Sequence, residues 1–236
     1  MTKPFVFIFP GQGSQKVGMG KDLFKNKKIA KKVFEEIDDA LDEKLSQMIF
    51  DGKEEDLKKT ANAQPALMGV SVAILRIIEE ELGKKISDFV EIVLGHSLGE
   101  YTALCGIESI DLNSTAKILR IRGNAMQNAV PEGEGGMVAV LGSTIDTIES
   151  IIEDNKDKFI TQIANDNSDG QIVLSGKKND LNELIKILKS KSIKSVLLPV
   201  SAPFHSKLMS KATNIMKNEI EKINFKNGEN ILISNV

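Results

Sequence analysis

The stretch Ile92-Val93-Leu94-Gly95-His96-Ser97-Leu98-Gly99-Glu100 decides which fold we predict for this chain. The apolar run from Phe89 to Leu94 is long enough for a buried strand, and Leu98 to Gly106 has the composition of a helix closed by glycine. Between them, Gly95-x-Ser97-x-Gly99 has the spacing of a nucleophile elbow, which exposes a serine at a tight strand-to-helix turn. The alternative is an ordinary strand–helix turn in which Ser97 has no chemical role.

The residue types at this turn suit nucleophilic chemistry. Glycine two positions before and two positions after the serine removes Cβ atoms that would clash in a crowded backbone. The N-terminus of the following helix directs N–H groups and its positive dipole end toward the charge that develops on an attacked carbonyl. A serine hydroxyl is a weak nucleophile, so this hypothesis also requires a base.

The chain has two histidines, and His205 is the candidate base because in elbow enzymes the base follows the serine in sequence. His96 directly precedes Ser97, and strand-end geometry turns it away from the serine hydroxyl, so we interpret it as a pocket wall. The alternative for His205 is a hydrogen-bonded surface histidine. No Asp or Glu stands out as a residue that orients the base.

Arg122 is the second candidate functional residue. Its neighbours three and four positions away are Ile118, Leu119, Ala125 and Met126, so it shares the apolar, inward face of a helix that runs to about residue 128. A guanidinium cannot lose its charge, and an inward-facing one needs an acceptor. That acceptor is either a buried Asp or Glu of the protein or a carboxylate brought by a substrate.

The overall composition is that of a soluble globular protein of one or two domains. Of 236 residues, 41% are hydrophobic and 27% charged, and the formal net charge of −2 argues against general nucleic-acid binding. Cys105 is alone, which excludes an internal disulfide. No signal peptide and no apolar run of membrane-spanning length is evident, so we expect a cytoplasmic protein. Lysine clusters at 25–32 and 186–194 are either solvated helix faces or attract an acidic partner.

The N-terminal run Phe5–Phe9 predicts a strand buried on both faces, followed by a glycine-rich loop from Pro10 to Gln15. This loop does not match nucleotide-binding patterns. A dinucleotide fingerprint requires glycine or alanine where Lys16 stands, and a P-loop requires lysine where Met19 stands. We therefore expect it to offer backbone N–H groups at the end of a parallel strand.

After Pro131 the pattern of periodicity changes. Residues 131–200 predict the order β-α-β-β-α-β, which is the ferredoxin-like signature. The joining loop between its second and third strands covers residues 165–170. We predict an α/β protein in which residues 1–130 and 201–236 form a large domain and 131–200 form a small inserted one. Ile231 to Ile233 starts another buried strand, so we expect the large domain to continue past Val236.

Five separated motifs identify a family. Pro10–Gln15, Gln64-Pro65-Ala66-Leu67, Gly95-His96-Ser97-Leu98-Gly99-Glu100-Tyr101, Arg122-Gly123 and Phe204-His205-Ser206 together resemble the malonyl-CoA:acyl carrier protein transacylases. The resemblance spans the whole chain. It implies an α/β-hydrolase-like large domain with a parallel sheet and an inserted ferredoxin-like α+β domain. It also implies residues beyond Val236, one of which orients the catalytic histidine through its backbone.

The resemblance also implies roles for individual residues. Ser97 would be the acylated nucleophile and His205 its base, with oxyanion-hole N–H groups from Gln12 and Leu98. Arg122 would bind the malonyl carboxylate. The remaining substrate-binding candidates are Gln64, His96, Phe204 (the malonyl-selecting form of this position), and Asn165 and Asn167, which sit where the family lines the cleft between its domains.

The implied activity is an [acyl-carrier-protein] S-malonyltransferase of bacterial type II fatty acid biosynthesis. A malonyl group would pass from malonyl-CoA through a malonyl-serine intermediate to the pantetheine thiol of acyl carrier protein. No cofactor or metal is expected, nor any nucleic-acid or membrane partner, and the protein is expected to be a monomer. Two alternatives remain: a serine hydrolase or thioesterase with the same elbow, and a non-catalytic module that binds acyl carrier protein.

Overall fold

The computed structural model describes residues 5–200 and 202–235. They form two compact units, of which the second is Ala125–Lys217 and the first comprises the residues before and after it. The second unit contains the segment 131–200 that the sequence predicts as an inserted domain. The strands are β1 (Phe5–Phe9), β2 (Val90–Gly95), β3 (Gly135–Leu141), β4 (Thr161–Ser168), β5 (Gln171–Lys177), β6 (Lys194–Leu197) and β7 (Ile231–Ile233).

The described residues also form α-helices. They are α1 (Lys21–Asn26), α2 (Lys28–Leu41), α3 (Leu45–Asp51), α4 (Glu54–Leu57), α5 (Thr60–Leu82), α6 (Ile86–Phe89), α7 (Leu98–Gly106), α8 (Leu112–Gln127), α9 (Ile145–Glu153), α10 (Lys178–Ser190) and α11 (Ser210–Ile220). A 3₁₀ turn, Lys207–Met209, precedes α11.

The first unit contains a parallel sheet in the order β1-β2-β7. Consecutive parallel strands need long crossover connections, and the helices between β1 and β2 provide one. The core beside this sheet includes Phe9, Leu75, Val93 and Ala103. Because the strands are parallel, the carboxyl ends of β1, β2 and β7 lie at the same edge, where α/β proteins place their ligands.

The strands β1 and β7 exist as predicted, but the prediction that they are buried is wrong. Val6 and Ile8 are 51% and 71% exposed, and Ile231 and Ile233 are 57% and 47% exposed. The register aligns Val6 with Ile92 and Ile231, and Ile8 with Leu94 and Ile233, so these side chains share one face of the sheet. The described residues cover this face only in part, whereas Phe9 and Val93, on the opposite face, pack in the core. An apolar run by itself does not show whether both faces of its sheet are covered.

The central helix of the first unit is α5, which begins at Thr60 and ends at Leu82 with Gly83 as its left-handed C-cap. It is long and apolar enough to cross a membrane by length and composition, although no such run was predicted from the sequence. Of its most apolar 18-residue stretch, 61% is buried inside the protein. This burial is typical of the core helix of a globular protein.

The second unit contains an antiparallel sheet in the order β4-β5-β3-β6 and the helices α9 and α10. Its strands and helices follow the order β-α-β-β-α-β, as predicted. Its core is built from aliphatic residues of both layers, including Val138, Val140, Ile148, Leu174 and Leu184. One boundary prediction is wrong, since β4 continues to Ser168 and carries the segment 165–168 that the sequence predicts as part of a loop. Irregular register between β4 and β5 in this segment accounts for its weak strand pattern.

Candidate active site

Ser97 stands at a strained turn between β2 and α7. It is the N-cap of α7 with φ 54° and ψ −104°, a conformation that non-glycine residues rarely adopt. A Cβ atom on Gly95 would lie 2.0 Å from the carbonyl carbon of Gly99, and one on Gly99 would lie 2.4 Å from the carbonyl oxygen of Phe9. Both glycines are therefore required by close backbone approach. The predicted strand–turn–helix is confirmed, and the chemical role of Ser97 stays a prediction.

Two side chains that were not predicted as site residues hold this turn. Asn235 Oδ1 accepts the Ser97 N–H at 3.0 Å, and its Nδ2 donates to the Gly95 carbonyl at 2.8 Å and to the Glu100 carboxylate. The Asn235 backbone N–H also donates to Glu100 Oε2 at 3.1 Å. A sequence signal did exist: Asn235 closely follows β7, which runs parallel to β2, so both strands end at the same edge.

Arg122 reaches Ser97 from α8. Its Nη2 donates to Ser97 Oγ at 3.0 Å, and its Nη1 donates to Gln64 Oε1 at 2.8 Å. Gly123 permits this approach, because a Cβ atom there would lie 2.6 Å from the Cα of Ala61 at the start of α5. The guanidinium carbon also lies 5.4 Å from the centre of the Tyr101 ring, within cation–π range. The structure thus brings Ser97, Arg122 and Gln64 together.

The partners of Arg122 are neutral side chains. Within residues 5–200 and 202–235, no carboxylate lies within ion-pairing distance of its guanidinium, so a structural Asp or Glu pair is not found there. Burial lowers the pKa of Arg122, although an arginine keeps its charge at any physiological pH. Arg120, two residues earlier, differs: it pairs with Glu43 at 2.7 Å and donates to the Ala61 carbonyl. Among the described residues, Arg120 is therefore the arginine of α8 that forms an ion pair with a carboxylate of the protein, and Arg122 is not.

Three further candidates surround the elbow in the first unit. Gln12 lies on the loop after β1, and its Nε2 donates to Thr60 Oγ1 at 3.1 Å. Leu98 is the first residue of α7, whose opening N–H groups have no acceptor inside the helix. His96 is exposed, and its backbone N–H donates to the Phe9 carbonyl at 3.0 Å. A Cβ atom on Gly11 would lie 2.3 Å from His96 Nδ1, so the glycine makes room for this ring.

The other candidates belong to the second unit. His205 is exposed at a turn before the 3₁₀ helix and, like Ser97, has a positive φ, of 55°. Phe204 is 7% exposed and packs in the core of its unit. Asn165 and Asn167 lie on β4, half-buried and exposed respectively. The catalytic pairing of His205 with Ser97, and the roles of Phe204 and the two asparagines, stay predictions.

The loop that carries His205 is tied to its own unit at two points. Ser206 Oγ donates to the Pro203 carbonyl at 2.7 Å, and the Lys207 N–H donates to Gln162 Oε1 at 2.6 Å. Gln162 is on β4, so the loop and the strand that carries Asn165 are linked. Gln162 was not predicted, because a polar residue on a strand gives no signal of a distant backbone partner.

The site combines a serine at a strained strand–helix turn, N–H groups at the start of a helix and an arginine whose partners among the described residues are neutral. Among the described residues, no group of three or more His, Cys, Asp or Glu could hold a metal ion. This arrangement suits acyl transfer through a serine ester, with the guanidinium available to an acyl group that carries negative charge.

The sequence of the chain is similar to those of known acyl transferases. Residues 6–234 match the acyl transferase domain family. The malonyl CoA-acyl carrier protein transacylase of Bacillus subtilis (strain 168) is 39% identical over 232 residues, which cover 98% of this chain and 72% of the relative. The enzyme of the same name from Escherichia coli (strain K12) is 38% identical over 222 residues, covering 94% of this chain and 71% of the relative.

Solved structures give the same grouping. The crystal structure of acyl-carrier-protein-S-malonyltransferase from Bartonella henselae superimposes with a TM-score of 0.93 and 50% identity, covering 97% of this chain and 73% of that one. A type II PKS acyl-carrier protein in complex with its malonyl-transacylase gives a TM-score of 0.92 and 36% identity, covering 98% of this chain and 74% of that one.

Proposed function

Since the chain belongs to the malonyl CoA-acyl carrier protein transacylase family of acyl transferases, we propose that it transfers malonyl groups from malonyl-CoA to acyl carrier protein. The acceptor atom is the pantetheine thiol of the carrier, and the product serves fatty acid biosynthesis. The names of the relatives supply the two substrates, and the geometry around Ser97 supplies a reason for the choice of acyl group.

The observation that carries this proposal is the position of Arg122. Its guanidinium donates a hydrogen bond to the nucleophilic oxygen. Among the described residues, all of its hydrogen-bond partners are neutral. In a malonyl ester on Ser97, one carbonyl carbon and one methylene separate the serine oxygen from the free carboxylate. That carboxylate can therefore reach the same guanidinium in a two-pronged, charge-assisted pair. Gln64, which accepts from Nη1, holds the guanidinium in place for this contact.

The first half-reaction acylates the enzyme. We propose that His205 takes the proton of Ser97 Oγ as the oxygen attacks the thioester carbonyl carbon of malonyl-CoA. The carbonyl oxygen becomes an oxyanion, which accepts from the N–H groups of Gln12 and Leu98. The carbon–sulfur bond then breaks, the CoA sulfur leaves with the proton held by His205, and the malonyl group remains on Ser97 with its carboxylate on Arg122.

The second half-reaction is the reverse with a different thiol. The pantetheine thiol of acyl carrier protein gives its proton to His205 and attacks the serine ester. A tetrahedral intermediate forms with its oxyanion in the same position and then collapses. The serine oxygen leaves, and His205 returns the proton to the serine oxygen. All groups in this scheme are side chains or backbone N–H groups of the chain, so we propose that the reaction requires neither cofactor nor metal.

We also propose the finer description of the fold. The order β4-β5-β3-β6 with two helices supports a ferredoxin-like small domain, and the parallel sheet with its elbow supports an α/β-hydrolase-like large domain. Phe204, Asn165 and Asn167 would shape the substrate cleft, and His96 would form a wall of it. The protein would act in the cytoplasm as a monomer.

A hydrolase with the same elbow is the alternative from the sequence, and the comparisons do not favour it. Water carries no charge or pantetheine arm for the enzyme to select, and a general thioesterase has no need for an inward-facing arginine beside the nucleophile. Transfer to a thiol through an acyl-enzyme predicts ping-pong kinetics, and excess hydrolysis over transfer would contradict it.

Mass spectrometry of the intact protein after mixing with malonyl-CoA tests the proposal. We expect a malonyl adduct on Ser97, no adduct on Ser97→Ala, and release of the adduct when acyl carrier protein is added. His205→Ala should slow the acylation by about 10²–10⁴-fold, which is typical of a lost general base. A folded protein that forms no adduct, or an adduct that persists in Ser97→Ala, would overturn the assignment.

A further inference from the structure

The strain at Ser97 requires something to hold it, and among the described residues the side chain of Asn235 is placed to do so. A non-glycine residue with positive φ costs on the order of 1–3 kcal/mol and persists only where surrounding contacts enforce it. Ser97 has φ 54° at the junction of β2 and α7. Asn235 contacts the residue before this junction, the junction itself and the helix after it, through Gly95, Ser97 and Glu100.

The contacts of Asn235 also fix which way its amide points. An asparagine side chain has one carbonyl oxygen that accepts and one NH₂ that donates. Here the oxygen faces the Ser97 N–H at 3.0 Å, while the NH₂ faces the Gly95 carbonyl and the Glu100 carboxylate, both of which only accept. Turning the amide over would place like groups against each other at all three contacts. The side chain is therefore specific for an amide of this size.

The hydrogen bond between the Ser97 N–H and Asn235 determines which N–H group of the elbow can bind the oxyanion. The Ser97 N–H donates its hydrogen bond to Asn235 Oδ1, so this N–H points away from a reacting carbonyl. The next N–H along the chain, that of Leu98, is left as the donor from the elbow. Two adjacent backbone N–H groups therefore have different roles. The Ser97 N–H secures the turn, and the turn orients the Leu98 N–H toward the developing charge.

We propose that Asn235 is a positioning residue for acyl transfer, which locks the strained conformation of Ser97 and so aims both its hydroxyl and the Leu98 N–H. This inference rests on the proposed function for the reaction it improves, but its structural basis is the elbow alone. Asn235 does not touch substrate in this scheme; it acts through Ser97. Glu100 has a supporting part, because it accepts from both the side chain and the backbone of Asn235.

The chain offers a matched control. Asn230 lies at the other end of β7, and its Nδ2 donates to the Val90 carbonyl at 2.6 Å, at the opposite end of β2 from the elbow. Asn230 and Asn235 therefore both tie the β7 segment to the ends of the same neighbouring strand. Of these two asparagines only Asn235 contacts Ser97. Asn230 therefore controls for the loss of an asparagine that ties the β7 segment to β2.

The experiment compares Asn235→Ala and Asn230→Ala with the wild type in the 236-residue chain. Three quantities are measured: Ser97 acylation by malonyl-CoA, Ser97 labelling by a fluorophosphonate, and hydrogen exchange of the Ser97 amide. We expect Asn235→Ala to slow saturated acylation and labelling by about tenfold to a hundredfold, the usual effect of misplacing a reacting group. The half-saturating malonyl-CoA concentration should stay unchanged, since Arg122 and Gln64 are intact, and the Ser97 amide should exchange faster. Asn230→Ala should match the wild type in all three quantities.

A conservative exchange tests the same contact without leaving a cavity. Asn235→Asp keeps the oxygen that accepts from Ser97 but loses both side-chain donors and places a carboxylate against Glu100. We expect this variant to be slow. Adding Glu100→Gln supplies an amide NH₂ to the new carboxylate and should restore at least part of the labelling rate.

The outcomes separate this inference from the proposed function. Wild-type rates and exchange in Asn235→Ala, equal losses in both asparagine variants, or no rescue by the double variant would each overturn the positioning role. If the wild type labels with fluorophosphonate but never accepts malonyl, the proposed function fails, and labelling and hydrogen exchange still test the role of Asn235. If Asn235→Ala does not fold, Asn235→Asp with and without Glu100→Gln decides whether Asn235 positions Ser97.

Discussion

At the scale of single residues, two arginines on one helix show how environment assigns a role. Arg120 is held by the Glu43 carboxylate and the Ala61 carbonyl, whereas Arg122 bonds Gln64 and the Ser97 hydroxyl. The polarity of their helix neighbours already distinguishes the two in the sequence and predicts an acceptor for Arg122. It does not tell a carboxylate of the protein from one of a substrate, because that depends on which residues from α5 and the elbow meet α8 in space.

Substitution of Arg122 should therefore change selectivity for the acyl group. Arg122→Ala should lose malonyl transfer by about 2–5 kcal/mol in kcat/KM, the usual cost of removing one partner of a buried charged pair. It should lose little with acetyl-CoA, which has no carboxylate, and Arg122→Lys should not recover malonyl transfer because a lysine lacks the two-pronged geometry.

The control for this measurement is Arg120→Ala, which removes the same side chain from the same helix. We expect it to lower thermal stability and leave the ratio of malonyl to acetyl kcat/KM unchanged. Malonyl and acetyl rates that fall together in Arg122→Ala would show that this arginine supports the fold instead of recognising the substrate.

At the scale of elements, the elbow was predictable because its determinants are local. A strand, a turn and a helix follow one another within a few residues, and the spacing of the glycines around Ser97 reports the backbone contacts directly. The Asn235 contact was not predictable in the same way, since it joins residues 138 positions apart in sequence. The predicted burial of β1 and β7 was wrong for a related reason, because the cover on each face of a sheet depends on elements that are distant in sequence.

The elbow glycines give a steric prediction. Gly99→Ala places a Cβ atom 2.4 Å from the Phe9 carbonyl oxygen, so β1 and α7 must separate. We expect the free energy of unfolding to fall by about 1–3 kcal/mol or more, as for overpacked cores. The Tm should fall by about 2–4 °C for each kcal/mol lost. Fluorophosphonate labelling of Ser97 should also decrease.

Gly136→Ala serves as the comparison, because a Cβ atom there meets only Leu181 Cδ1 at 3.4 Å, an ordinary contact. It lies on β3 in the second unit and should leave both Tm and labelling near wild type. If Gly99→Ala behaves in the same way, the close packing of the elbow against β1 is not needed for its function.

The lysines in the C-terminal half of α10 and just after it give a prediction about the carrier. Lys186, Lys189, Lys191 and Lys194 are exposed, and Lys186 already pairs with Glu183 at 2.6 Å. If the others attract an acidic acyl carrier protein, transfer to the carrier should weaken as salt rises beyond about 0.15 M, where charges more than about 8 Å apart are largely screened. Acylation by malonyl-CoA should change less.

Charge reversal locates this effect. Lys189→Glu with Lys191→Glu should lower kcat/KM for the carrier and flatten its salt dependence. The matched control reverses two exposed lysines of the other cluster, Lys25 and Lys32 on α1 and α2, and should leave the carrier kinetics unchanged. Identical kinetics in both double variants would count against electrostatic docking on the second unit.

At the scale of the whole molecule, the sequence predicted the order of elements in the second unit because its turns and periods are regular. Its limits were harder to predict. The second unit begins and ends inside α8 and α11, where helical periodicity continues without interruption. Ala125 and Met126 from α8 and Met209 and Ala212 from around the start of α11 pack in its core. Composition marks where a helix ends, but it does not mark where the contacts of a helix change from one unit to another.

This division predicts that the second unit folds without the first. A fragment of residues 125–217 retains the sheet β4-β5-β3-β6, both of its helices and its aliphatic core. We expect a cooperative thermal transition by circular dichroism and dispersed amide signals by NMR. Leu184→Ala, which empties a fully buried core position, should destabilise the fragment by about 2–5 kcal/mol.

Ile160→Ala removes an aliphatic side chain that is 52% exposed in the same unit, so it should change the fragment's stability much less than Leu184→Ala does. Equal effects of the two substitutions would mean that the isolated fragment lacks the core of the second unit. A fragment that stays unfolded from residue 125 to residue 217 would mean that this core is stable only when the first unit is attached. In that case the two units would form one cooperative domain despite their separate sheets.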